Sequence, residues 1–300
     1  MLKIAWNKNY RHPLPEGHRF PMEKYDLIPE QLIYEGTIRS SDLLDPGMAA
    51  EEDILKVHDR DYLVKLKKGI LTAGEIRRIG FPLSTDLVNR EISITQGTIQ
   101  CALYALESGI SFNVAGGTHH AYADRGEGFC LLNDIAVAAS FLVDRQLADR
   151  ILIVDLDVHQ GNGTAKIFEG SEKIFTFSMH GENNYPLFKE RSYRDIALPD
   201  GTTDKFYLEK LDYHLNELVD ECEPDFIFYQ AGVDILATDK LGRLGLTMQG
   251  CGARDRNVFS VCKKNRIPAV VVMGGGYSDD IRTIIEAHAN TFREACEIYF

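Results

Sequence analysis

The 300-residue chain has no Cys-x-x-Cys pair. Its six cysteines, Cys101, Cys130, Cys222, Cys251, Cys262 and Cys296, are scattered, so neither a disulfide framework nor a thiolate zinc site is expected. No apolar run approaches the roughly 20 residues that a membrane helix needs; one of the longest covers 135–143. The opening Met1-Leu2-Lys3-Ile4-Ala5-Trp6 meets Asn7-Lys8-Asn9 too soon to form a signal-peptide core, and a cytoplasmic protein is expected. Basic residues are in deficit, 33 Lys and Arg against 45 Asp and Glu, for a formal charge of -12. Neutralising phosphate takes clustered Lys and Arg, so nucleic acid and anionic lipid are not expected partners, and a cationic partner is mildly favoured. No Pro-, Gly- or Ser-rich linker and no internal repeat divides the chain, which reads as one domain over 1–300.

What is present is material for a large core, 44% apolar residues. Apolar, β-branched runs recur at 2–5, 112–115, 151–154, 174–177, 226–229 and 269–273. They do not alternate with polar residues, which marks strands buried on both faces of a parallel sheet. Helices are expected at 53–67, 87–107, 133–144 and 206–221, and irregular connections at 10–22 and 43–50. The expected fold is a three-layer α/β/α architecture around a mainly parallel sheet.

Polar residues gather after these runs, where open parallel sheets bind ligands. Asp155-Leu156-Asp157-Val158-His159-Gln160-Gly161 follows 151–154, and alternation in an extended chain would send Asp155, Asp157 and His159 to one side. Gly116-Gly117-Thr118-His119-His120 follows 112–115, and Gln230-Ala231-Gly232-Val233-Asp234 follows 226–229. Gly274-Gly275-Gly276-Tyr277 follows 269–273, and Gly126-Glu127-Gly128-Phe129-Cys130 precedes the expected helix at 133. Two carboxylates and an imidazole leave positions open for water and substrate, as a catalytic metal site requires. Mixed O/N ligation suits Zn²⁺ and also Fe²⁺ or Mn²⁺.

In their order and spacing these motifs, together with Val57-His58-Asp59, Tyr62-Leu63 and Gly97-Thr98, resemble the histone deacetylase family of the arginase/deacetylase superfold over about residues 1–290. The segment 11–22 is most similar to bacterial relatives of the class IV members. The resemblance implies a metal held by Asp157, His159 and Asp234, and hydrolysis of an ε-N-acyl-lysine amide. It implies that His119, partnered by Asp155, and His120, partnered by Asn162, move the protons, with His120 as the base toward water. It makes Tyr277 the oxyanion donor, and Gly128, Phe129 and Gly275 the walls around the alkyl-lysine stem. It also implies a structural K⁺ at Asp155 and Ser178. Asn162 departs from class I members, which carry a carboxylate there, so a less basic His120 is expected. Gln160 is expected to point away from the metal.

Taken singly, each feature has an ordinary alternative: a hydrogen-bonded strand terminus for Asp157 and His159, a polar loop for the two histidines, core packing for Phe129 and Tyr277. The competing functions are deacetylation of an acetylpolyamine or another small amide, and non-catalytic binding of acyl-lysine. A binuclear arginase-like centre is disfavoured, because Asp234 is followed by Ile235-Leu236-Ala237 and not by further ligands.

Overall fold

A computed structural model describes residues 2–300. Its eight strands are β1 (Lys3–Ala5), β2 (Leu43–Leu44), β3 (Ile110–Asn113), β4 (Ile151–Asp155), β5 (Ile174–Gly181), β6 (Arg194–Leu198), β7 (Phe226–Gln230) and β8 (Ala269–Val272). They form one sheet in the order β2-β1-β3-β8-β7-β4-β5-β6, and every pairing is parallel. Strands β3, β4, β5, β7 and β8 are buried along their whole length, polar Ser111, Asn113, Thr176, Ser178 and His180 included, as a parallel sheet covered on both faces requires.

Neighbouring residues of β3 show which helices cover which face. The Phe112 ring stacks on Phe292 at 4.3 Å and meets Phe259 edge-on at 6.3 Å, so this face packs on helices Ile281–Tyr299 and Met248–Asn265. The next side chain, Asn113, points the other way and donates to the Ile94 carbonyl at 3.0 Å in helix Thr85–Ser108. Burying Phe112 alone contributes about 2–3 kcal/mol. The three layers are thus an α/β/α arrangement around a parallel sheet, as expected.

The long helices begin and end where local chemistry directs. The Ser84 hydroxyl accepts the Leu87 N–H at 3.0 Å, and Gly109, at φ 85°, closes the other end of that helix. Asn133 caps helix Asp134–Asp144 by accepting from the Ala136 N–H at 3.0 Å. Helix Asp204–Cys222 covers the expected 206–221.

Some expectations required correction. The helix expected over 53–67 is two, Glu51–Ile54 and Arg60–Lys68. The break lets buried His58 accept the Asn133 N–H at 2.9 Å and lets the Asp59 N–H reach the Ala123 carbonyl at 2.9 Å, a tertiary demand that overrides local periodicity. The irregular stretch 43–50 contains β2, an edge strand of two residues fixed only by its pairing to β1. The mixed-charge β6 and helices Lys24–Tyr34, Ala73–Ile79, Asn162–Ile167, Met248–Asn265 and Ile281–Tyr299 were not anticipated.

Candidate active site

Four strands that are adjacent in the sheet, β3, β8, β7 and β4, deliver His119, His120, Asp155, Asp157, His159, Asp234 and Tyr277 at or beyond their carboxyl ends. Ser178 instead lies within β5, Asn162 opens helix Asn162–Ile167, and Gly128 and Phe129 lie in the loop before helix Asp134–Asp144. The convergence at β4 differs from simple strand alternation. The strand stops at Asp155, and the chain turns through successive side-chain caps: the Asp155 carboxylate accepts the Asp157 N–H at 3.2 Å, and Asp157 accepts the His159 N–H at 3.0 Å. Asp155 is thereby directed to His119, with Oδ2 at 2.6 Å from Nδ1, while Asp157 and His159 meet Asp234.

Asp157, His159 and Asp234 are buried, and one donor atom from each lies within 4.8 Å of the others. His159 Nδ1 is 3.0 Å from Asp157 Oδ1 and 3.2 Å from Asp234 Oδ2. Asp234 Oδ2 makes no hydrogen bond although it is buried. Burial and the charge of Asp157 push the Asp234 carboxyl up to about 7. Burial disfavours a charged His159, yet the carboxylates of Asp157 and Asp234 beside it raise it to about 10. The pocket therefore demands positive charge between two carboxylates. A divalent ion fits that demand and the donor set.

Glycines make the close approach possible. A Cβ on Gly275 would collide with the Asp234 carboxylate, and one on Gly232 with that of Asp157. Beyond them Tyr277 is held by its backbone N–H, which donates to Asp239 Oδ2 at 2.6 Å, and its ring centroid lies 6.5 Å from that of His159. Burial, with Asp234 and Asp157 nearby, raises the Tyr277 phenol well above its usual range, so it stays an O–H donor.

The two histidines differ in their surroundings. For His119, burial is outweighed by Asp155 and Asp157, and its pKa is raised. His120 is lowered, first by burial and then by His119 and His159. Its Nδ1 lies 2.6 Å from Asn162 Oδ1. The Asn162 amide donates in turn to Glu127 Oε1 at 2.7 Å and to the Tyr122 hydroxyl at 3.0 Å. A flipped amide would set its oxygen against the Glu127 carboxylate. Glu127 therefore fixes the amide, the amide fixes a proton on His120 Nδ1, and Nε2 keeps a free lone pair. Sequence reasoning missed Glu127, which stands inside the Gly126-to-Cys130 motif with no local sign of where it points.

Phe129 forms the wall of the opening with φ 67°, a left-handed conformation costing about 1–3 kcal/mol. The Phe129 N–H donates to Ile79 O at 2.7 Å and the Gly128 N–H to Arg78 O at 3.1 Å, bonds that hold this turn. A Cβ at Gly80 would stand 3.0 Å from the Phe129 ring, so this glycine also makes room for the wall. Ser178 pairs in register with Asp155, and its hydroxyl is 3.0 Å from His180 Nδ1. Gln160 points away from the cluster, donating to the Glu190 carbonyl at 2.7 Å and to Asp195 at 2.8 Å. Lys24, also missed, is fully buried and donates to the Gly274 carbonyl at 2.8 Å.

Comparison with known proteins places the chain in a family. The histone deacetylase domain profile matches residues 18–292. The chain belongs to the histone deacetylase family. It is 43% identical over 296 residues to an uncharacterised protein of Picosynechococcus, covering 99% of both chains. It is 32% identical to Histone deacetylase 2 of Arabidopsis thaliana, over 92% of this chain and 74% of that one. A probable deacetylase of Archaeoglobus fulgidus is 30% identical, with coverages of 92% and 81%. The crystal structure of a histone deacetylase homologue from Aquifex aeolicus superposes with a TM-score of 0.85 at 24% identity, covering 99% of this chain and 84% of that one. A histone deacetylase homologue solved in complex with SAHA gives a TM-score of 0.83 at 25% identity, with the same coverages. This deacetylase-family chain has no helix long and apolar enough to cross a membrane among its described residues.

Proposed function

We propose that residues 1–300 act as one catalytic unit that hydrolyses ε-N-acyl-lysine amides with a divalent metal, Zn²⁺ first and Fe²⁺ second, held by Asp157, His159 and Asp234. The observation that carries the reading is the unbonded, buried Asp234 Oδ2 within coordinating reach of Asp157 and His159. When bound, such an ion polarises an acyl carbonyl and brings the pKa of water toward about 7. The remaining work falls to the side chains around it.

His120 Nε2 takes a proton from the attacking water and hands it to the leaving lysine nitrogen, a role that suits an imidazole kept neutral at rest. His119, tied to Asp155, holds positive charge beside the reacting centre. Tyr277 donates its O–H to the oxygen on which negative charge develops, worth about 3–4 kcal/mol for one such donor. Phe129, Gly128 and Gly275 enclose the alkyl stem. K⁺ beside Asp155 and Ser178 would offset the acidic strand end.

The test is a panel of acyl-lysine peptides from acetyl to myristoyl, assayed with Zn²⁺- and Fe²⁺-loaded protein. Release of the free carboxylate from at least one chain length is expected. Binding of these peptides with no carboxylate released would instead make the protein a non-catalytic acyl-lysine binder.

A further inference from the structure

Three separate segments bring an arginine to the mouth of the site. Arg19, Arg78 and Arg243 line one cavity of about 340 Å³ with Phe129, Tyr185 and Tyr277, and no carboxylate lines it among the described residues. Each arginine is tied to the wall. The Arg19 guanidinium lies 5.0 Å from the centre of the Phe129 ring. The Arg78 carbonyl accepts the Gly128 N–H, and the Arg243 N–H donates to Asn184 Oδ1 at 3.2 Å. Their charges are not equally available. Arg243 is 3.3 Å from Asp200, whereas Arg19 and Arg78 have no ion-pair partner among the described residues. Two arginines without a shared charge, Arg19 with its guanidinium over Phe129 and Arg78 through its backbone bond to Gly128, thus belong to the Phe129 side of the opening, in a chain of net charge -12.

We infer that this mouth selects acyl-lysine segments with acidic residues next to the acylated lysine, on the Arg19 and Arg78 side, and rejects acylated polyamines. The inference rests on the acyl-lysine reading above and names the sequence context of that substrate. The overall negative charge argues the opposite way, but the two effects act over different distances. At about 0.15 M salt the screening length is about 8 Å, so surface charges farther off are largely screened while the two guanidiniums beside the bound chain are not. An acylated polyamine retains ammonium groups that must sit at the arginine-lined opening, where like charges repel. The weak preference for a cationic partner suggested by composition is reversed at the place where a partner would dock.

The test compares kcat/KM of the metal-loaded full chain on one acyl-lysine peptide with Asp/Glu, Ser/Gly or Lys/Arg flanks, and on an N-acylpolyamine. At 0.15 M salt the acidic peptide is expected to exceed the basic one by about 10-fold, with the gap narrowing at higher salt. The paired substitution Arg19→Glu with Arg78→Glu is expected to invert the order, and Arg243→Glu to move it less, because Asp200 already shares that charge. Because the readout is a ratio between peptides within one variant, partial unfolding does not mimic it. Equal turnover of the three peptides, an order unchanged by the double reversal, or a preference for the polyamine would overturn the inference. Turnover of every peptide with no charge preference leaves the acyl-lysine reading standing and removes only this one. Hydrolysis of no peptide removes both.

Discussion

Two buried polar clusters lie next to each other at the sheet end, and they differ in whether they are closed. Arg254 and Asp255 are fully matched. The Arg254 guanidinium donates to the carbonyls of Leu156, Ala231 and Gly232 and pairs with Asp255, which also accepts from Tyr229 at 2.5 Å and Thr291 at 2.8 Å. One cation meets one anion, and the remaining acceptors are backbone. Around Asp157, His159 and Asp234 two carboxylates crowd one imidazole, and Asp234 Oδ2 is left without a hydrogen bond. Burying unpaired polar groups costs stability, so a closed cluster reads as a brace and an open one as a place for a ligand. The brace holds the two loops from which the open cluster is built, since Leu156 precedes Asp157 and Gly232 precedes Asp234 by two.

Perturbing each cluster separately tests that contrast. Replacing the orphaned carboxylate, Asp234→Asn, should lower kcat/KM by about 10³-fold or more and abolish stoichiometric metal content. Denaturant stability of the metal-free protein should be unchanged or higher, because a repelling charge is gone. A large stability loss instead would make Asp234 part of a brace. Arg254→Met should do the reverse, costing about 3–5 kcal/mol in urea unfolding by stranding Asp255. Unchanged stability would show that the closed cluster braces nothing.

Between these extremes lies Glu127, which acts on His120 only through Asn162. Glu127→Leu should lower kcat by about 10- to 100-fold with KM nearly unchanged. In the background of Asn162→Asp, where no amide needs orienting, the same change should cost little or even help. Additive losses in that double-mutant cycle would refute the relay.

Lys24 gives the smallest effect and a pH signature. Burial lowers its pKa from 10.5 to about 8, although Asp234 and Asp157 favour the charge. Between pH 8 and 10.5 the unfolded chain therefore binds more protons than the folded one, so the cost of burying this charge is full below about 8 and vanishes as pH rises toward 10.5. Lys24→Met should stabilise the protein by about 1–3 kcal/mol at pH 7, less the lost bond to Gly274, with the advantage fading above pH 8. An advantage that persists unchanged to pH 10.5 would refute the charge-burial origin.

Much of this was legible in the chain. Unbroken apolar runs specified strands buried on both faces, because a parallel sheet between helix layers has no wet side. Glycine-flanked Asp, His and Tyr residues after those runs gave the candidate site and the family resemblance, because open parallel sheets place ligands beyond their carboxyl ends. Edge strands escaped notice: Leu43–Leu44 and Arg194–Leu198 are strands because of what they pair with, and their own pattern is too short or too polar to say so.

What only the tertiary structure decided is who faces whom. Sequence put Asp155, Asp157 and His159 on one strand end, but carboxylate caps turn the chain so that the first aspartate serves His119 and the other two residues meet Asp234. Sequence marked Asn162 as a neutral partner for His120, whereas folding set the carboxylate of Glu127 behind it. Composition recorded an acidic protein, and folding gathered three arginines at its opening. Side-chain chemistry is fixed residue by residue along the chain. The field at a site is a sum over groups brought within a few ångströms from distant segments, and that sum exists only once the sheet has assembled.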